Sequence, residues 1–287
     1  MKNAFVMFCK TYSADLNNFK LMISSFNQFN KENIMLYVSV PEKDFYKYTK
    51  FESNSIKIIT DESYAKEYFT INEYFGLSSG YINQEICKLS FWELNVCENY
   101  LCIDSDIQFI RDFYLSDFMF NEEIPYTILV MDKDLSIEKH YRDFWTWRSK
   151  LIKKIYDEIG LDDPRQRTCH GMQVLSVKVL KSLKQDFMQQ KGYEYKNLIE
   201  ISPYEFTWYN VWFQKSGLVK EISVEPFFKT FHMRMDYLFA RLKLLKQEDF
   251  AKAYVGIILN SNWQKKEYLY KKPSILHKFI YKIIGKI

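Results

Sequence analysis

The chain has 287 residues, of which 47% are hydrophobic and 18% aromatic, which excludes a disordered protein and supplies a full core. Its formal net charge is +4, yet residues 264–287 alone carry seven Lys and one Glu, so the body is mildly acidic. Basic charge gathered at one end, instead of spread over a folded body, argues against nucleic acid as a partner. Eight Gly and six Pro are too few for a repetitive all-β chain with many tight turns.

In chain order, Phe5 to Cys9 reads as a short apolar strand. Leu16, Phe19, Met22, Ile23, Phe26 and Phe29 then recur at helical spacing. Ile34 to Val40 is a β-branched strand closed by Pro41, and Ile56 to Ile59 is another. Ile82, Ile86, Leu89 and Leu94 predict a helix feeding the strand Tyr100 to Ile103. Such a βαβ series implies a mostly parallel sheet flanked by helices. Further on, Tyr126 to Met131 predicts a strand, Phe144 to Ile159 a helix, and Met172 to Val177 a strand. Val179 to Phe187 and Pro203 to Phe213 read as helical, and Ile222 to Phe228 as extended. No linker separates the halves, so one domain is expected over residues 1–262, followed by a tail over 263–287. The five cysteines form no CxxC pair and several sit in apolar runs, where Cys packs as a small core residue. The N-terminal apolar run ends at Lys10, too short for a secretory signal, which predicts a cytoplasmic protein.

In a parallel α/β sheet, ligands gather at the carboxyl ends of the strands. The strand Tyr100 to Ile103 runs into Asp104-Ser105-Asp106, after which Ile107, Phe109 and Ile110 resume the apolar pattern. Residues i and i+2 of an extended segment share a side, so the two carboxylates are expected to face one ligand. Hard oxygen donors suit Mg²⁺ or Mn²⁺ held jointly with substrate phosphates.

The run Gln84-Glu85-Ile86-Cys87-Lys88-Leu89, a spacer, then Tyr100 to Ile107 resembles the core of glycosyltransferases with the GT-A fold. The nearest resemblance is to a bacterial glycosyltransferase-like domain family of unknown function. Thr11-Tyr12 through Asp15, Pro41 to Asp44, Ser202 to Glu205 and His232 extend it over roughly residues 4 to 240. The resemblance implies a Rossmann-like GT-A sheet and a nucleotide-sugar donor, with UDP as the family-level expectation. It implies that Thr11 and Tyr12 lie beside the nucleoside, and that Lys88, Asp104 and Ser105 face the donor. It also implies that Asp106, with Asp104 and a late His at His232, binds Mn²⁺ or Mg²⁺.

Acceptor activation requires a base, and Glu205 is the candidate. The competing reading is a capping box, with Ser202 as N-cap, Pro203 at the first helical position and Glu205 three residues on. His170-Gly171, after the polar loop Asp162 to Thr168, is a candidate acceptor contact. Trp145, Trp147, Trp208, Tyr209 and Trp212 are candidates for sugar stacking, but the helical spacing of Trp208 and Trp212 points to the core, and core is the expected place for the set.

In the tail, Ile275, Leu276, Phe279, Ile280, Ile283, Ile284 and Ile287 fall on one helical stripe and Lys278, Lys282 and Lys286 on another. A basic amphipathic helix of this kind predicts peripheral contact with the inner face of the plasma membrane. The expected function is thus a metal-dependent hexosyltransferase acting on a bacterial surface-glycan or lipid-linked acceptor. Its competitors are a nucleotide- or glycan-binding module without catalysis, and an Asp-x-Asp phosphatase, against which Gln108 stands where that pattern wants Thr or Val.

Overall fold

The computed structural model describes residues 2–131, 133–136, 142–169, 171–232 and 234–259. Strands β1 (Asn3–Lys10), β2 (Leu36–Val40), β3 (Ile56–Thr60) and β4 (Cys97–Asp104) run parallel. With β6 (Gln173–Ser176) they form a sheet of order β3-β2-β1-β4-β6, in which β6 is antiparallel to β4. A second sheet has the order β5 (Ile107–Phe109), β8 (Gly256–Leu259), β7 (Phe228–Phe231).

Helices α1 (Leu16–Phe29), α2 (Phe45–Tyr48), α3 (Glu62–Ala65) and α4 (Ser79–Ser90) belong to the first βαβ half. The second half holds α5 (Arg142–Ile159), α6 (Val177–Ser182), α7 (Gln189–Lys191), α8 (Tyr195–Ile201), α9 (Glu205–Ser216), α10 (Arg234–Leu242) and α11 (Gln247–Ala251). No helix among the described residues is long and apolar enough to cross a membrane.

The central strands are buried on both faces, which is why β1 and β2 read as continuous apolar runs without alternation. Helix α1 buries Phe19, Met22, Ile23 and Phe26, four members of the expected stripe. Helix α4 starts where the Ser78 hydroxyl accepts from the Tyr81 N–H at 3.4 Å. Helices α6 and α7 are joined by a π-helical stretch, Leu183–Met188, and the run stops at Gly192, whose φ of 69° suits a residue without Cβ. The five cysteines are buried and free.

Two expected elements come out differently. Tyr126 to Met131 forms no strand; Thr127 and Val130 each make one isolated bridge, to Ser223 and Thr168. Ile222 to Phe228 contributes only that Ser223 bridge before β7 opens at Phe228. Pro125 and Pro226 lack the N–H that a longer ladder needs at those points. Helix α8 and strand β8 carry too few residues for a periodic signal. The tail over residues 263–287, with its expected amphipathic helix, lies outside the described residues.

Strand β8 joins β5 to β7 only because Gly256 has no side chain. A Cβ there would stand 2.5 Å from the Gln108 carbonyl oxygen and 2.6 Å from the Phe228 ring. Gly256→Ala is therefore expected to destabilise the fold by about 1–3 kcal/mol through overpacking. Denaturant unfolding measures this, and an unchanged midpoint would show that the small sheet is looser than described.

Candidate active site

The carboxyl ends of β1 and β4 lie side by side, with Lys10 in register with Asp104. Asp104 ends β4, Ser105 is buried in the turn that follows, and Ile107 opens β5 in the second sheet. Asp104 and Asp106 are thus separated by a turn between sheets, not carried on one extended strand. The alternation argument for a shared side does not hold, because the chain changes sheet between the two residues.

Asp104 backs onto a buried charge cluster. Lys88, on the last turn of α4, donates to Glu205 Oε1 at 2.9 Å and stands 3.4 Å from Asp104 Oδ1 and 3.5 Å from Glu85 Oε2. Glu85 lies one turn before Lys88 on the same helix, and Glu205 opens α9. The Tyr100 hydroxyl donates to the Lys88 carbonyl at 2.7 Å and ties the end of α4 to β4. The Phe206 ring faces the ammonium at 5.2 Å.

Burial alone would push the Lys88 pKa down, but the charges of Asp104, Glu205 and Glu85 reverse this and hold it well above the ordinary lysine value. Burial pushes Glu205 up as well, yet Lys88 and a hydrogen bond from Glu85 bring it below the ordinary range. Glu85 goes the other way: burial, then the charge of Glu205, raises its carboxyl well above normal. Glu85 Oε2 is buried and makes no hydrogen bond, with the Lys88 ammonium 3.5 Å away. As a neutral acid it gives its proton to Glu205 and the group is satisfied. Lys88 is therefore paired with one buried carboxylate, Glu205, and with Asp104, whose side chain is 36% exposed.

A carboxyl whose folded pKa is raised costs stability once pH passes its unfolded value, about 4.3, because only the unfolded chain can ionise freely. Glu85→Gln keeps the neutral shape and removes that cost. Relative to the wild type, its melting temperature is expected to rise as pH increases from 5 to 8; a flat or falling difference would place a charge on Glu85.

The chain after β1 is pinned from beneath. Lys10 Nζ pairs with Asp61 at 3.0 Å and donates to the Thr11 carbonyl at 2.8 Å, and Asp61 accepts from Ser39 at 2.6 Å. The Tyr48 hydroxyl donates to the Tyr12 carbonyl at 2.6 Å, and Asp44 accepts the Ser13 N–H at 3.0 Å. These bonds leave the Thr11 hydroxyl buried beside the Tyr48 hydroxyl and the Tyr12 ring 42% exposed, just beyond the strand pair that ends at Asp104. The segments Thr11 to Asp15 and Pro41 to Asp44, both singled out in the sequence, thus meet.

The second sheet brings His232 to the same end as Asp106. The Leu259 N–H donates to the Asp106 carbonyl at 3.2 Å, and Leu259 is in register with Phe231, the residue before His232. Strand β8 lies between them, so their backbones are about two strand spacings, roughly 10 Å, apart. Both residues are half-buried. Among the described residues, no group of three or more His, Cys, Asp or Glu side chains is already assembled as a metal cage.

The capping box expected at Ser202 does not form. Ser202 closes α8, its N–H donating to the Leu198 carbonyl, and its hydroxyl has no hydrogen-bond partner. Helix α9 begins at Glu205, whose carboxylate is drawn to Lys88 instead. His170 lies outside the described residues. Gly171, with φ of 147°, lines a cavity of about 10 Å³ with Cys169, Thr230 and Ile258, room for one water at most. Trp208 and Tyr209 are fully buried and Trp212 packs on Phe187, as core residues do. Trp147 departs from that expectation, being 37% exposed.

The mostly parallel sheet flanked by helices, with its small second sheet, is similar to a glycosyltransferase fold. It is similar over 90% of the chain to the crystal structure of mouse xyloside xylosyltransferase 1 in its apo form, covering 98% of that chain with 9% identity and a TM-score of 0.50. The chain belongs to the family of unknown function DUF6492, whose profile matches residues 5–265. No curated protein matches it.

Proposed function

We propose that the chain is a metal-dependent glycosyltransferase that moves a sugar from a nucleotide-sugar, UDP being the first base to test, to a bacterial surface-glycan or lipid-linked acceptor. The observation that supports it most is the Asp104-Ser105-Asp106 turn at the sheet's carboxyl rim, braced from behind by the buried Lys88–Glu205 pair. In the reaction the acceptor oxygen bonds to the anomeric carbon as the bond to the diphosphate oxygen breaks, and the acceptor proton passes to a base.

Two carboxylates and an imidazole at one rim match the donor preferences of Mn²⁺, and the carboxylates those of Mg²⁺. A complete protein cage is not required of a hard cation that shares its coordination with substrate phosphates. Asp104, Asp106 and His232 are the residues that would hold it, and its charge would offset that developing on the departing diphosphate. Thr11 offers a buried hydroxyl and Tyr12 an exposed ring to the nucleoside, and Ser105 lies in the turn facing the donor. Lys88, 3.4 Å from Asp104 Oδ1, aims that side chain. Glu205 is first the counter-ion of Lys88, and it serves as base once an acceptor hydroxyl displaces that ammonium. His170 and Gly171 complete the proposed acceptor contacts.

A thermal-shift panel of nucleoside diphosphates with Mn²⁺ or Mg²⁺ tests the reading. A ligand at about a hundred times its Kd stabilises by about 2.7 kcal/mol, a readily measured shift. The shift is expected only when metal and nucleotide are both present, and its absence with every base would end the proposal. Residues 263–287 are proposed to hold the enzyme on an anionic membrane surface. Deleting 273–287 is expected to abolish co-sedimentation with anionic liposomes; unaltered co-sedimentation would refute this.

A further inference from the structure

Beside the charge cluster, three aromatic rings form a continuous wall. The Tyr204 ring, one residue before Glu205, meets Trp147 edge to face at 6.3 Å, and Trp147 meets Phe75 in the same way at 6.5 Å. Trp147 and Phe75 are each 37% exposed. Cations flank the wall: the Arg148 guanidinium lies 5.5 Å over the Tyr204 ring, and Lys154 Nζ lies 5.7 Å over Phe75. The Tyr204 hydroxyl is buried with no hydrogen-bond partner.

Phe75 is held there against its backbone preference. Tyr74 and Leu77 exchange backbone hydrogen bonds across a two-residue turn, in which Phe75 and Gly76 have φ of 57° and 72°. A turn with both central residues at positive φ favours Asn-Gly, and a bulky ring at its first position is costly. The turn is anchored below, where Asn83 exchanges hydrogen bonds with the Thr70 backbone. Strain of this kind persists where surrounding structure fixes it, and it clusters at ligand clamps.

We infer that Phe75 and Trp147 form a stacking platform for a pyranose ring of the acceptor, next to the reaction centre. The inference rests on the glycosyltransferase reading and deepens it by giving the acceptor a place. A sugar presents an apolar C–H face within a rim of hydroxyls, which suits rings with one apolar side and one wet side. A lipid chain calls for an unbroken apolar groove, whereas the exposed Lys154 ammonium lies over Phe75 and the Arg148 guanidinium is buried against Tyr204. The wall is continuous from Phe75 through Trp147 and Tyr204 to Glu205, so a ring seated on it extends toward Lys88 and Asp104.

The test uses the full chain on an array of immobilised oligosaccharides ending in hexose, pentose or N-acetylhexosamine units. The wild type is expected to bind a subset of them. Trp147→Ala is expected to weaken that binding about tenfold or more, and Trp147→Phe to restore most of it. Phe75→Asn removes the ring but suits the turn, so glycan binding falls while the melting temperature holds or rises. Ile71→Ser, at the fully exposed far end of the same loop, serves as the control and binds as the wild type does. Binding to no glycan, or binding untouched by loss of both rings, overturns the platform. The wild-type nucleotide shift reads the transferase proposal separately: glycan binding without it removes that proposal and keeps the platform, and the reverse result removes the platform alone.

Discussion

Asp106→Asn is expected to abolish the metal-dependent stabilisation by nucleoside diphosphates and to lower transfer by about a hundredfold to a thousandfold, the scale seen when one group aimed at developing charge is lost. The substitution is nearly isosteric in a half-buried turn, so the variant is expected to fold, and its own metal-free melting temperature is the baseline for the shift. Asp104→Asn should differ in kind. It weakens nucleotide binding too, but it also takes one carboxylate from Lys88, so the apo protein loses stability as well. The contrast separates the two aspartates, which the sequence motif treats alike. If Asp106→Asn keeps the wild-type response to metal and nucleotide, no role for that rim survives.

Lys88→Met is the larger structural perturbation. It leaves Glu205 buried without its ammonium, and breaking a buried pair from one side costs about 3–5 kcal/mol. For a chain of this size that is on the order of 10 °C in melting temperature. The pH dependence carries the diagnosis. In the wild type, Glu205 has a depressed pKa, so its stabilising share is present above the unfolded value and is lost as pH falls through the folded one. In the variant, burial without Lys88 raises that pKa, and acid restores stability by giving Glu205 a proton. The gap between variant and wild type should therefore narrow from pH 8 to pH 5. Lys88→Met with Glu205→Gln should recover much of the loss, since no orphaned charge remains. A gap independent of pH would mean that the cost is one of packing.

Much of this molecule is legible in its sequence where signals are local. Strands β1 and β2 are apolar runs because both of their faces are buried, and α1 shows its buried stripe at the expected spacing. The Asp104-Ser105-Asp106 motif is legible because it follows such a run directly. The turn within it is not, since nothing in three residues announces that Ile107 leaves one sheet for another. Strands β5, β7 and β8 have only three or four residues each, too few for alternation to register. The burial of Glu85 and Glu205 is not legible, because burial of a carboxylate depends on a lysine supplied from elsewhere. The one local clue was the spacing of Glu85 and Lys88, one helical turn apart. Trp147 resembled a core residue for the same reason, as its exposure is decided by the turn that carries Phe75.

The small sheet also sets an order of events during synthesis. Ile107 pairs with Ile258, so the rim around Asp106 stays open until nearly the whole described chain has left the ribosome. The first four parallel strands can assemble from the earliest third of the nascent polypeptide, as N-terminal units do. Closing β5 against β8 spans a very long loop, which makes it a slow, late step. Half-made chains thus carry a formed sheet and an unfinished mouth, and the rim around Asp106 is completed only with the final stretch.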